Sequence, residues 1–152
     1  MNNHNFQYCQ KIVVFSAGKD KVLLCQRKGE ADYDGVYSFI GGKMETTDQS
    51  IIAGLKREKD EEVGPDFQVK IYPNFTTNIL FQKQDGSSMI LPHYLAIHVS
   101  GEIDLNDEYS NYKWVALAEL SEFEPKIPSI PRVINKFLKL EKIIAEKDFV
   151  LI

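Results

Sequence analysis

GGKMETTDQSIIAGLKREKDEEVG, from Gly41 to Gly64, opens as a glycine turn and closes in a dense run of charge. Lys56 to Glu62 reads KREKDEE, seven charged residues in succession. Such runs commonly form a solvated helix face, so the first question is where each carboxylate points. The stretch predicts a helix beginning near a capping box of Thr46 and Gln49, with Asp48 placed at the positive N-terminal end. Gly64 followed by Pro65 ends it, the glycine as a left-handed cap and the proline as a block to continuation. At about 100° per residue, Glu62 lies roughly 40° to one side of Glu58 and Glu61 roughly 60° to the other. Ile51, Ile52, Leu55 and Val63 occupy the adjoining arc, while Lys56 and Asp60 face away from it. Three glutamates therefore crowd the border of the buried stripe. Like charges at i,i+4, such as Glu58 and Glu62, destabilise an isolated helix, and Arg57 offsets only part of that repulsion. A hard divalent cation with oxygen ligands would satisfy the cluster better than solvent alone.

Outward from this helix, the chain reads as alternating short strands. KIVVFSA (11–17) and KVLLCQR (21–27) form an expected hairpin across a GKD turn. VYSFI (36–40) leads into Gly41, and residues 68–72, 74–82, 89–99 and 111–115 are further strand candidates. Residues 130–146 carry an apolar stripe at helical spacing, starting near Pro128 or Ser129 with Pro131 in the first turn. The inventory of several strands and two real helices is not a repeated βαβ series. It predicts an α+β sandwich, a mixed sheet with helices packed on its faces, as one domain over 1–152.

Bulk properties narrow the function. With 152 residues and 43% hydrophobic content the chain can bury a core without staples. A formal charge of −4 argues against broad binding to nucleic acid or an anionic membrane, yet leaves room for phosphate chemistry through a divalent cation. Cys9 and Cys25 fall on expected strands and read as buried free thiols of a reducing compartment. No signal peptide is visible in MNNHNFQYCQ, and no apolar run spans a bilayer, so the expected location is cytoplasmic.

Residues 57–64, REKDEEVG, resemble the second half of the Nudix box, G-x5-E-x7-R-E-U-x-E-E-x-G-U with U apolar, and Gly41–Glu45 resembles its glycine-rich opening. The resemblance implies a Nudix-type α/β/α sandwich and a pyrophosphohydrolase using Mg2+ or Mn2+. Its substrate would be a nucleoside diphosphate derivative: a nucleoside triphosphate, a nucleotide sugar or an ADP-ribose type, releasing a nucleoside monophosphate or sugar phosphate. It implies Arg57, Glu58, Glu61 and Glu62 as catalytic residues, and the Gly42 carbonyl with Glu58, Glu61 and Glu62 as metal ligands. Gly41, Lys43 and Arg27 would meet the substrate phosphates. The general base stays open between a box glutamate and Glu102, Asp107 or Glu108; His93 reads as structural, and His4 and His98 carry no signal. Tyr37, Phe39, Phe75, Phe81 and Tyr94 are the candidates for stacking on a base. Non-catalytic nucleotide sensing and GDP-sugar glycosyl hydrolysis stand as alternatives, and the oligomeric state is open between a monomer and a homodimer.

Three departures from the box are visible. Gly42 precedes Arg57 by fifteen residues against fourteen in the pattern. Placing the extra residue in the turn ETTDQ puts Gln49 at the first glutamate position, whereas an adjusted helix register would put Asp48 there. Lys59 and Pro65 stand at apolar box positions, and Lys59 is expected to snorkel past the core edge.

Overall fold

In a computed structural model that describes residues 5–152, strands β1 (Gln7–Phe15) and β7 (Ser88–Ser100) run parallel down the middle of one mixed sheet. All other pairings between strands are antiparallel. β2 (Lys21–Arg27) carries β8 (Tyr109–Ala116) on its outer side and β3 (Tyr37–Ser38) on its inner side. β4 (Ile40–Lys43) pairs with the first half of β1. Beyond β7 lie β6 (Thr77–Gln82) and β5 (Gln68–Ile71), with β9 (Val150–Leu151) on the edge of β5. The 11–17/21–27 hairpin pairs only near its tip, at Phe15 and Val22, because β4 and β7 take the rest of β1. His4 lies outside the described residues.

The sheet is buried on both faces, which is why VVF and VLLC read as continuous apolar runs rather than alternating ones. Ile12, Val14, Leu23 and Ile40 point to the side covered by α1 (Ile51–Val63), where Leu55, Val63 and Phe67 meet them. Val13, Phe15, Leu24 and Leu95 point the opposite way, to α2 (Ile130–Glu141) with its Val133, Ile134 and Phe137. α2 ends at Glu141, earlier than the stripe suggested, and the chain then turns through a 3-10 segment at Glu146–Asp148. Among the described residues, no helix is long and apolar enough to cross a membrane.

The start of α1 corrects the sequence reading. Ser50, not Thr46, caps the helix, its Oγ accepting from the Ala53 N–H at 3.0 Å. Residues 45–48 close a separate turn, in which the Asp48 N–H donates to the Glu45 carbonyl at 3.0 Å and the Glu45 N–H to Asp48 Oδ2 at 2.8 Å. At the other end Gly64 is the cap, with its N–H on the Asp60 carbonyl; its φ of +91° is positive as expected of a glycine, but its ψ of 151° lies outside the left-handed helical well.

Candidate active site at the glycine strand and α1

Two glycines let the helix and the strand meet. Gly41 has φ +133°, and a Cβ there would overlap the Gln10 carbonyl oxygen in β1. A Cβ on Gly42 would overlap the Glu58 carboxylate, so the missing side chain is what seats Glu58 against the strand. One turn on, Glu62 is 2% exposed and lies under Gly41, whose N–H donates to Glu62 Oε1 at 2.6 Å. The Tyr109 hydroxyl from β8 donates to the same oxygen at 3.1 Å. Burial pushes the Glu62 carboxyl up to about 8, against the pull of Lys11 and of the Gly41 N–H. Glu58 is raised too, by burial first, with Arg57 opposing. Glu61 stays largely exposed on its helix side.

Arg57 is the hub that organises these acids. Its Nε and Nη2 grip Asp48 at 2.7 and 2.9 Å, its Nη1 donates to Glu58 Oε1 at 2.9 Å and to Glu61 Oε2 at 3.3 Å, and its Nη2 also reaches the Lys43 carbonyl at 3.2 Å. The forked hydrogen bonds from Arg57 hold the Asp48 carboxyl down at about 2. Asp48, not Gln49, therefore supplies the carboxylate at the arginine, and that carboxylate is not lost. The extra residue is absorbed between the 45–48 turn and the Ser50 cap, where it costs little and leaves the helix in register.

Among the described residues, no three histidine, cysteine, aspartate or glutamate side chains converge closely enough to hold a metal ion as they stand. The Arg57 guanidinium lies between Glu58 and Glu61, and Glu62 is turned toward Gly41 and Tyr109. Each glutamate is nonetheless held by one oxygen only. Glu58 Oε2, Glu61 Oε1 and Glu62 Oε2 accept no hydrogen bond from the described residues; Glu58 lies against Gly42, Glu62 under Gly41, and Glu61 is exposed on the same helix. That chemistry fits a hard divalent cation.

The remaining sequence candidates divide by distance from this hub. Lys43 is exposed on β4 beside it. Arg27 is occupied in its own loop, with Nε on the Asp32 carbonyl at 3.3 Å and Nη2 near Glu30 at 3.5 Å. Of the acids in the 101–108 loop, Glu108 is close enough to raise both Glu58 and Glu62, and Asn106 holds it at 3.0 Å. Glu102 instead borders a separate cleft with Asp66 and Asp104 at the far end of α1. His93 is buried and structural in its contacts, its Nδ1 at 2.8 Å from the Leu91 carbonyl. Tyr37, Phe39 and Tyr94 are core, whereas Phe75 is exposed and Phe81 half-buried against Tyr33.

Two residues depart from expectation within α1 itself. Lys59 does not reach water: its side chain is 1% exposed, and its Nζ sits 2.6 Å from Asp60 Oδ1. Asp60 is accordingly not a freely solvated acid, since Lys56 also binds it, at 2.6 Å. Tyr109 escaped the sequence reading altogether, because the contact with Glu62 joins residues 47 apart and has no local signature.

A mixed sheet between two helices, with a helix of acids locked onto a double-glycine strand, defines a Nudix-type α/β/α sandwich. The chain belongs to the Nudix family: the NUDIX domain model matches residues 10–137. The enzyme class of that membership is the Nudix-type pyrophosphohydrolase. No curated protein matches the chain significantly by sequence. Among solved structures, the chain is similar to a MutT protein from Methanosarcina mazei Go1, with 19% identity and a TM-score of 0.74 over 93% of this chain and 99% of that one. It is similar to a C. elegans Ap4A hydrolase at 14% identity and TM-score 0.72, over 91% and 99% of the two chains. The NUDIX domain of Shewanella oneidensis NrtR, solved with ADP ribose, gives 19% identity and TM-score 0.68, over 90% and 89%. At these identities the likeness speaks for the fold.

Proposed function

We propose that this chain hydrolyses a phosphoanhydride bond in a nucleoside diphosphate derivative, with Mg2+ or Mn2+ held by Glu58, Glu61, Glu62 and the Gly42 carbonyl. The observation that carries the reading is that each of the three glutamates is fixed by one oxygen and keeps the other unpartnered, with Glu58 and Glu62 packed against the double glycine. A divalent cation bound there neutralises phosphate charge and lowers the pKa of the attacking water. Phosphoryl transfer otherwise asks the protein for positioning, and the chain's own residues supply it. Arg57, anchored on Asp48, fixes the spacing of Glu58 and Glu61 and has no donor geometry left over for substrate. Tyr109 and the Gly41 N–H fix Glu62 by Oε1 and so direct its other oxygen. Lys43, exposed on β4, adds charge at the phosphates in this reading. The substrate class spans a nucleoside triphosphate, a nucleotide sugar and an ADP-ribose type, and the neighbours that are an Ap4A hydrolase and an ADP-ribose-bound domain are in keeping with it.

The test is a release assay over a panel of nucleotides with Mg2+, on wild type and Glu62→Gln. Monophosphate release by the wild type that falls at least a hundred-fold in the variant supports hydrolysis at this site. Tight nucleotide binding without turnover of any substrate would replace hydrolysis with sensing.

A further inference from the structure

Among the described residues, Lys59, Lys70, Lys83, Lys126, Arg27 and Arg57 are the other lysines and arginines withdrawn from solvent, and each meets a carboxylate. Lys11 is the exception. It is half-buried on β1, and its ammonium takes part in no ion pair or hydrogen bond with the described residues. Its charge acts on the buried Glu62 without touching it, so the three donors of the ammonium are left for an anion from outside the chain.

The strand register shows where that anion would lie. β1 and β4 pair Cys9 with Lys43 and Lys11 with Gly41. Residues opposite one another share a face, and so do residues two apart on one strand. Lys11 and Lys43 are therefore diagonal neighbours on one face, typically about 7–8 Å apart at the backbone, with the bare backbone of Gly41 between them. Both lysines bear electrostatically on the Cys9 thiol that they flank. Lys11 shares the parity of Val13 and Phe15, which places it on the α2 side of the sheet. Glu62 and Glu58 approach Gly41 and Gly42 from α1, on the opposite side. One glycine strand thus separates the glutamates from two lysines that, among the described residues, contact no carboxylate, although the field of Lys11 reaches Glu62 through it.

We propose that Lys11 is a substrate-contacting residue that, with Lys43, binds phosphate oxygens of the pyrophosphate group where it crosses the Gly41–Gly42 strand. This rests on the reading of the site as one for a nucleoside diphosphate derivative. A charge-assisted contact to phosphate is roughly twice as strong as a neutral one, and its loss from Lys11→Met corresponds to about a ten-fold weaker affinity.

The experiment is calorimetric titration, in Mg2+, of inorganic pyrophosphate and of the non-hydrolysable α,β-methylene analogue of ATP. The proteins are wild type, Lys11→Met and Lys11→Arg, each shown by its melting curve to be folded. The expected result is about a ten-fold loss for both probes in Lys11→Met, with most of the affinity kept by Lys11→Arg. Should Lys11→Met misfold, Lys11→Gln takes its place, and in wild type the affinity for pyrophosphate still has to fall with salt. Unchanged affinity in Lys11→Met, no pyrophosphate binding by wild type, or a loss confined to the ATP analogue would each overturn the proposal. The readout needs no turnover. Lys11-dependent binding by a protein that hydrolyses nothing would remove the hydrolytic reading alone, and hydrolysis with Lys11-independent binding would remove this one alone.

Discussion

Lys59 lies on the buried stripe of α1, where the Nudix box has an apolar residue, and its ion pair with Asp60 sets up a contrast between two variants. In Lys59→Met the stem volume is kept and the ammonium disappears from a site that is 1% exposed. Asp60 keeps Lys56, at 2.6 Å on its solvent side, so the substitution orphans no charge. The geometry of the internal pair is also poor. Asp60 Oδ1 has the Lys59 ammonium at 2.6 Å but no aligned hydrogen bond, so the attraction is mainly Coulombic. Replacing such an ion with an apolar isostere is commonly neutral or stabilising by about 1–4 kcal/mol. The low end is expected here, about 1 kcal/mol, because only one partner is replaced. For a chain of this length that raises Tm by roughly 2–4 °C. Asp60→Ala does the reverse, leaving the buried Lys59 without an anion, and should cost about 3–5 kcal/mol. Urea unfolding of both variants, followed by far-UV circular dichroism, reads the two numbers. A Lys59→Met protein destabilised by more than about 1 kcal/mol, or an Asp60→Ala protein as stable as wild type, would refute the reasoning.

Three further outcomes follow from the same contacts. Asp48→Asn loosens the fork on Arg57 and should lower activity about 10- to 100-fold, the scale expected for a residue that orients the proposed metal ligands, while Gln49→Ala leaves activity unchanged. Tyr109→Phe removes one of the two donors to Glu62 Oε1; about 1 kcal/mol of stability and roughly ten-fold in kcat are expected to go with it, measured by thermal melting and initial rates. Burial, aided by the charge of Lys11, lowers His93 from 6.5 to about 4. The unfolded chain therefore binds more protons across that window, and stability falls as pH drops from about 6.5 to about 4, with a ceiling near 3 kcal/mol. Glu62, raised by burial, works in the opposite direction as pH falls, so the difference between wild type and His93→Gln isolates the histidine. An identical pH profile for the two would contradict the burial of a neutral imidazole.

Much of the candidate site's geometry was legible in the sequence because helix geometry is local. Rotation about one axis placed Glu58 and Glu62 beside Leu55 and Val63, and both glutamates are buried there. The mixed sheet followed from the order of strand and helix signals, and Gly64–Pro65 marked the end of α1. What sequence could not decide was its beginning. Thr46, Asp48 and Ser50 are all good N-cap residues, and the choice among them depends on where β4 releases the chain, a tertiary constraint. That ambiguity left Gln49 and Asp48 competing for one position, which the bidentate contact with Arg57 assigns to Asp48. Lys59 was misjudged for a related reason: its long stem permits an exit to water, and only the placement of Asp60 shows that the ammonium stays inside. Tyr109 and Lys11 belong to pairings between distant strands, which no periodicity reports.

The most direct test of the account follows the oxygen. Hydrolysis of a turned-over nucleotide in 18O-labelled water, with mass analysis of both products, identifies the atom attacked. Phosphoanhydride cleavage at this site puts one 18O in a phosphate group of a product, formed only with Mg2+ or Mn2+ and suppressed in Glu58→Gln and Glu62→Gln. Label found on a sugar carbon, or release that continues undiminished in both variants, would contradict phosphoanhydride cleavage at this site.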